Sequence, residues 1–278
     1  MKFLGFCLSM IGLYVVYTGT VGIYNQTGGL HLGTTLFSIL IATPFLALGA
    51  WASGRGQAQI QTERNLQARE VLESAASPPT AENRPAQDIA LYLRPFKVDG
   101  VFVTDHRSMN IFNMDQYDRT GTDALERILG DAVARSYTTV SVASGNVEIS
   151  GVGQVEKLEN WQEDVSSLID LSSIIFVTPL PSENTFWEIG EIVKTGALSR
   201  AVFIMPTQHS TVDPDFEVDS EWDNARQAIR TRIGLSLPRY DAGGGFFRFR
   251  NVDSAPDFVS ANTGGSPNSV AKAINRLI

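Results

Sequence analysis

The chain has 278 residues, one cysteine and a formal net charge of −8. From Asp88 onward it carries 17 Lys and Arg against 26 Asp and Glu, and this acidic balance argues against nucleic acid as a partner. The single Cys7 excludes a disulfide framework, and His31, His106 and His209 are too scattered to predict a metal site.

Residues 1–54 are predicted to form a two-helix transmembrane hairpin. No Asp, Glu, Lys or Arg occurs between Phe3 and Gly54, and the runs 3–23 and 30–51 are each long enough to cross about 30 Å of hydrocarbon as a helix. The polar sequence YNQTGG between them predicts a short turn. A cleaved signal peptide is the alternative for the first run, but that run is longer than the apolar core of a typical signal peptide, and a second span follows at once.

Positive charges predict the orientation of this hairpin. Lys2 precedes the first span and Arg55, Arg64 and Arg69 follow the second, whereas the connecting turn has none. The positive-inside rule therefore predicts a multi-pass protein of the inner cell membrane, with the lipid bilayer as a partner and both termini in the cytoplasm. Glycines at positions 5, 12 and 19 of the first span favour close helix packing in the hairpin or in a homo-oligomer.

Residues 55–87 connect the hairpin to the folded domain. The segment 55–76 lacks proline and is rich in helix-forming residues, so we expect a stalk helix there. The segment 77–87, SPPTAENRPAQ, has three prolines and no apolar period, which is typical of a linker. We therefore expect the cytoplasmic domain over 88–278.

Strand and helix patterns alternate in this domain. Its apolar runs are continuous, as in strands that are buried on both faces, and segments with a helical period separate them. The pattern predicts an α/β fold with a doubly wound, mostly parallel sheet covered by helices on both faces. The predicted strands cover 88–93, 138–143, 173–179 and 201–206, with an edge strand at 246–250; the predicted helices cover 122–135, 160–171, a segment opened by TFWE, 219–233 and 267–278; and 100–118 is an insertion.

Two glutamates follow the predicted strand 173–179, at the start of the next helix. Ligands of a doubly wound sheet bind beyond the carboxyl ends of its strands. There, the carboxylate of Glu188 or Glu191 could attack or stabilise an oxocarbenium-like sugar carbon. The like charge of one glutamate would raise the pKa of the other, and desolvation by Trp187 would add to this effect. The alternative is structural, because Thr185-x-x-Glu188 has the pattern of a capping box, in which Glu188 only accepts the backbone N–H of Thr185. The residues alone leave both interpretations open.

The segment FWEIGEIVKTGALSRAVFIMP resembles two related families of this fold class. Glu188-Ile189-Gly190, followed by Gly196 and a buried strand, is similar to the motif that carries the nucleophilic glutamate of nucleoside 2-deoxyribosyltransferases. NAD-cleaving TIR domains have a similar arrangement, and DIALYLRPFKVDG resembles their first strand and the polar loop after it. TIR domains commonly place tryptophan four residues before the glutamate, which would select Glu191 after Trp187, whereas the glycine spacing selects Glu188.

This resemblance implies a TIR-like N-glycosidase that cleaves the nicotinamide–ribose bond of NAD or a related nucleotide, with NAD as substrate and no cofactor. Glu188 would be the catalytic carboxylate, and Glu191 would tune it or bind a ribose hydroxyl. The implied substrate-binding residues are Arg94, Phe96, Asp99 and Trp187. Such an enzyme would fit a prokaryotic stress or phage-defence effector. The alternatives are a non-catalytic TIR-like signalling or scaffold module, and a membrane-disrupting effector whose α/β domain is a sensor.

Overall fold

The computed structural model describes residues 42–44, 58–73, 88–93, 123–143, 152–156, 160–208, 217–263 and 267–278. The chain divides into two units, one of residues 1–62 and 109–117 and one of residues 63–108 and 118–278. In the first unit the described residues, 42–44 and 58–62, are helical. The rest of the predicted spans 3–23 and 30–51 lies outside the described residues. None of the helices that the structure describes combines the length and the apolar character needed to cross a membrane.

The second unit is built on a seven-stranded sheet. Its strands are β1 (Asp88–Leu93), β2 (Tyr137–Ala143), β3 (Gly153–Glu156), β4 (Ile174–Val177), β5 (Ala201–Met205), β6 (Gly245–Arg248) and β7 (Asp257–Ser260). They lie in the order β3-β2-β1-β4-β5-β6-β7, with the first five strands of the chain parallel and the last two antiparallel. The predicted α/β fold with a mostly parallel sheet is confirmed.

Helices cover both faces of the sheet. They are α1 (residues 58–73), α2 (Asp123–Val133), α3 (Trp161–Leu171), α4 (Glu183–Lys194), α5 (Val218–Ile233) and α6 (Pro267–Ile274), with a short 3-10 helix at Ala197–Arg200 before β5. Alternate residues of each strand face opposite layers. In β1, Leu91 packs with apolar residues of α1, α3, α4 and α5, whereas Tyr92 packs with those of α2 and α6.

The antiparallel end of the sheet differs from the prediction. The segment 246–250 was expected to be an edge strand, but β6 lies between β5 and β7, so that expectation is wrong. Gly245, Phe246 and Phe247 are all buried. Because successive residues of a strand face opposite sides of the sheet, β6 must be covered on both of its faces. The edge is β7, whose side chains alternate between partly buried and exposed.

The order of the strands creates a switch point between β1 and β4. From β1 the chain proceeds to β2 and β3 on one side, and it then returns to β4 and β5 on the other side of β1. The connections after β1 and β4 therefore diverge at the carboxyl ends of these strands, and such a crevice is where doubly wound proteins bind ligands. The backbone N–H of Thr178 donates to the carbonyl of Leu93 (3.3 Å) and joins the two strand ends.

Helix α1 packs on the sheet from Glu63 onward. Asn65 Oδ1 accepts the backbone N–H of Gln154 in β3 (2.9 Å), and Arg64 forms an ion pair with Asp131 of α2 (2.8 Å). The segment predicted as a stalk is therefore helical over 58–73, and its second part lies beside strand β3 at the edge of the sheet.

Candidate functional site

The candidate site begins with the loop between β4 and α4. This loop leaves the sheet at the switch point and ends at Ser182, whose backbone is extended (φ −148°, ψ 152°). Ser182 Oγ accepts the backbone N–H of Thr185 (3.0 Å) and lies 2.8 Å from Thr185 Oγ1. Ser182 is thus the N-cap of α4, since it satisfies one of the N–H groups that have no partner within the helix.

The predicted capping box is wrong. Helix α4 begins at Glu183, so Glu188 lies in its second turn rather than its first. The backbone N–H of Thr185, which the capping box would direct to Glu188, is already bonded to Ser182. The capping explanation for Glu188 is therefore wrong, because Ser182 makes the bond to Thr185 N–H that Glu188 was expected to make.

Replacing Ser182 by alanine is expected to lower the free energy of unfolding by about 1 kcal/mol, because Thr185 N–H loses its acceptor in a buried place. Urea denaturation at pH 7 measures the change. Ser167→Ala in the interior of α3 is the matched control, since the Ser167 hydroxyl only donates to the carbonyl of Glu163 within the same helix, and it should change stability by less than about 0.5 kcal/mol. Equal stability of the two variants would contradict the cap.

Glu188 is a buried carboxyl group. Its side chain is 2% exposed, and it shares the buried face of α4 with Thr185, Ile189 and Ile192. Among the described residues, no donor lies within hydrogen-bond distance of Glu188 Oε2. Burial raises the pKa of this carboxyl group to about 8, because a charge is costly to hold away from water. Glu188 is thus mostly protonated at neutral pH.

Glu191 has different surroundings from Glu188. Lys194 Nζ lies 3.0 Å from Glu191 Oε2, and the Ser166 hydroxyl of α3 donates to Glu191 Oε1 (3.2 Å). Burial alone accounts for the raised pKa of Glu188, so the expected repulsion between the two carboxylates is not its cause. Glu191 is therefore linked to α3 by the hydrogen bond from Ser166 and forms an ion pair with Lys194 of its own helix.

Trp187 also contacts α3. Its ring packs edge-on against the ring of Trp161, with 5.0 Å between the centroids and an interplanar angle of 68°. Both tryptophans are partly buried and lie against the main core. Trp187 therefore helps to fix α4, which carries Glu188, against α3.

The remaining predicted substrate-binding residues lie outside the described part of the chain. Arg94, Phe96 and Asp99 follow the last residue of β1, Leu93. That strand does end beside β4, so the prediction that its exit loop starts at the same edge as the loop before Glu188 agrees with the topology.

A second group of polar side chains at this edge was missed by sequence analysis. Tyr92 OH lies 3.5 Å from Glu126 Oε1 and 3.5 Å from Thr178 Oγ1, and all three residues are buried. Ser141 pairs with Tyr92 in the sheet and is fully buried. The sequence did carry one sign of this group: a residue with a hydroxyl group, Tyr92, Ser141 or Thr178, stands near the carboxyl end of each of the three strands.

The described residues offer no group of three or more His, Cys, Asp or Glu side chains that could hold a metal ion. The described polar side chains at this edge carry carboxyl and hydroxyl groups. Comparison of the chain with protein-family models, with curated proteins and with solved structures finds no match.

Proposed function

We propose that this chain is a membrane-anchored, TIR-like N-glycosidase that cleaves the nicotinamide–ribose bond of NAD or a related nucleotide, with Glu188 as its catalytic carboxyl group. The observation that carries the proposal is the state of Glu188, which is buried, has one oxygen without a partner among the described residues, and lies on the helix that leaves the β1–β4 switch point. Strongly perturbed carboxyl groups in such positions are enriched at functional sites.

The chemistry requires a carboxylate close to the sugar carbon. As the bond between ribose C1′ and the nicotinamide nitrogen breaks, its electron pair leaves with the nitrogen, and the positively charged pyridinium becomes neutral nicotinamide. Positive charge then develops at C1′, and a nearby carboxylate stabilises it most strongly where water is excluded. Water adds to C1′ and releases a proton, which completes the hydrolysis.

The substrate itself can ionise Glu188. A nicotinamide nucleotide brings a positively charged ring, and an opposite charge nearby lowers the pKa of a carboxyl group. The closed protein would hold Glu188 protonated, and the bound pyridinium would favour the carboxylate that the reaction needs. A neutral nucleoside lacks this charge and would leave the carboxyl group protonated.

Access to Glu188 requires a rearrangement, because its side chain is 2% exposed. The resemblance to TIR domains implies activation by assembly, and a hairpin in the bilayer would concentrate copies of the chain. A homo-oligomer that opens the site in response to a signal would suit a prokaryotic stress or phage-defence effector.

The test is release of nicotinamide from NAD by the full-length protein in lipid vesicles, at low and high protein density. Glu188→Gln is expected to lower the rate at least about 100-fold, because the amide cannot carry the charge. Glu191→Gln is the matched control and should lower it less than about 10-fold. Since the reactive form is the carboxylate, kcat/KM should rise about tenfold per pH unit and level off above about pH 8.

One observation favours a second candidate function, a non-catalytic signalling or scaffold module. The burial of Glu188 that raises its pKa also separates it from solvent. Absence of nicotinamide release at every protein density would favour this module over the enzyme. Leakage of dye from the same vesicles, unchanged in the Glu188→Gln protein, would instead favour a membrane-disrupting effector.

A further inference from the structure

Two hydroxyl groups lie at the start of α4, one turn before Glu188. Ser182 is the N-cap and is 9% exposed, whereas Thr185 is fully buried. Their side-chain oxygens lie 2.8 Å apart, and Ser182 Oγ also accepts the backbone N–H of Thr185 (3.0 Å). We call Ser182 and Thr185 the hydroxyl pair.

The hydroxyl pair has one proton more than its hydrogen bonds use. Each hydroxyl group has one proton to donate, and the bond between the two oxygens uses one of the two protons, with either oxygen as the donor. The other proton has no acceptor among the described residues, because the two side chains make no further hydrogen bond there. Buried hydroxyl groups nearly always have their partners, so this second proton requires an acceptor.

Glu188 lies on the same buried face of α4, three residues after Thr185. Side chains in a helix lean toward its N-terminus, over the residues three and four positions earlier, so the Glu188 side chain leans toward Thr185. The Cβ atoms of residues three apart lie about 5–6 Å from each other, and a glutamate side chain spans that distance by a change of rotamer. Glu188 Oε2 has no partner among the described residues. A donor that lacks an acceptor and an acceptor that lacks a donor are therefore neighbours.

We propose that Thr185 is a positioning residue, whose hydroxyl group donates a hydrogen bond to the carboxylate of Glu188 once Glu188 has lost its proton. Ser182 then donates to Thr185 Oγ1 and still accepts the backbone N–H of Thr185, so the cap of α4 stays intact. Both protons of the hydroxyl pair are used in this arrangement. The negative charge of Glu188 gains a donor in a buried place, where a hydrogen bond to a charged group is strong.

The charged groups on the elements packed against α4 do not replace this hydrogen bond. Lys194 is paired with Glu191 on α4 itself, and Arg232 of α5 is paired with Glu183. Strands β4 and β5 have no charged residue, and the charges of α3 are all acidic, at Glu163, Asp164 and Asp170. Burial is the cause of the raised pKa of Glu188, so a hydrogen bond is the means by which the closed protein can stabilise its carboxylate.

This inference deepens the proposed function and rests on it for the role of the carboxylate in the reaction. A hydrogen bond to the charged form of an acid lowers its pKa. Thr185 would therefore act together with the bound pyridinium in keeping Glu188 ionised, and it would fix the direction in which the carboxylate points.

Infrared spectroscopy of the full-length protein in lipid vesicles measures the fraction of Glu188 that is protonated at each pH, after subtraction of the spectrum of the same protein with Glu188→Gln. Thr185→Val keeps the shape of the side chain and removes the hydroxyl group. It is expected to raise the midpoint of the Glu188 titration by about 1–2 pH units, the contribution of one hydrogen bond to a charged group. Thr185→Ser restores the donor and should return the midpoint to that of the natural protein. The rise of kcat/KM with pH in the nicotinamide assay should move by the same amount.

Thr195→Val is the matched control, because it makes the same substitution at the other end of α4. The Thr195 hydroxyl donates to the carbonyl of Glu191 (2.9 Å), and its removal should leave the midpoint unchanged. An unchanged midpoint in Thr185→Val, or a shift that Thr185→Ser does not reverse, overturns the proposal. If Thr185→Val does not fold, Thr185→Cys carries a weaker donor and should raise the midpoint by less, and an unchanged midpoint there overturns the proposal equally.

The two proposals can fail separately. A midpoint that depends on the Thr185 hydroxyl, without nicotinamide release by the natural protein, would leave the hydrogen bond standing and refute only the proposed reaction. Nicotinamide release that depends on Glu188, with a midpoint that is the same in Thr185→Val, would do the reverse.

Discussion

The Glu188→Gln protein is expected to have a higher free energy of unfolding than the natural protein at pH 8, and a similar one at pH 4.5. The carboxyl group has a pKa of 4.5 in the unfolded chain and about 8 in the folded protein, because of burial. Folding therefore favours the protonated form, and this contribution is fully present below pH 4.5 and is lost as the pH rises through 8. At about 1.4 kcal/mol per unit of pKa difference, the loss is on the order of 5 kcal/mol. An amide does not titrate, so the variant escapes it.

Urea denaturation of both proteins between pH 4.5 and 8.5 measures this effect as the difference between two free energies of unfolding. Other titrating groups contribute equally to both proteins and cancel. Glu191→Gln is the control for removal of a carboxylate from α4, and because it breaks the ion pair with Lys194, it should be no more stable than the natural protein at pH 8. Parallel curves for the natural and Glu188→Gln proteins would show that Glu188 is not buried in the folded protein.

A carboxyl group that lowers stability at neutral pH requires an explanation outside folding. Natural proteins keep such groups mainly where function depends on them. The stability experiment and the nicotinamide assay are therefore linked, because the same charge that destabilises the closed protein is the charge that the reaction would use. A variant that gains stability and loses activity would fit this trade-off.

The central part of the sheet is predictable from local pattern alone. The runs DIALYL, IIFV and AVFIM are continuous and apolar, and they became β1, β4 and β5, each buried almost throughout. β3 and β7 were missed because each has only four residues and carries polar side chains, GQVE and DFVS. Short strands at the edges of a sheet are stabilised by pairing with a neighbour, which a local pattern does not contain.

The site was only partly predictable for the same reason. Ser182 and Thr185 are both good N-caps three residues apart, and the sequence does not decide between them; the fold does, by making residue 182 extended. The Tyr92 hydroxyl lies near Glu126 and Thr178, which are 34 and 86 positions away in the chain. Contacts over such separations come from strand order. Glu188 was singled out by its motif, whereas Tyr92 and Ser141 appeared only as members of apolar strands.

Replacing Gly153 by alanine is expected to detach α1 from the sheet and to lower the free energy of unfolding by about 3 kcal/mol. A Cβ atom at this position would overlap the backbone carbonyl of Arg64 and would lie 2.7 Å from Ala68 Cβ and 2.8 Å from the carbonyl oxygen of Thr139. Two of these three neighbours are backbone atoms, so a change of rotamer cannot relieve the contact. The strand is paired along β2, and the helix is therefore the part that moves. Hydrogen exchange should show faster exchange of the amides of residues 63–73.

Gly190→Ala is the matched control, with an effect of opposite sign. A Cβ at Gly190 would meet nothing within 4 Å, and alanine in the interior of a helix is favoured over glycine by about 0.5–1 kcal/mol. Both variants add the same methyl group to a glycine, so the difference between their stabilities measures the effect of the close contacts at Gly153. If Gly153→Ala were as stable as the natural protein, with unchanged exchange over 63–73, α1 would not lie against β3. The segment would then be the free stalk that its sequence predicts.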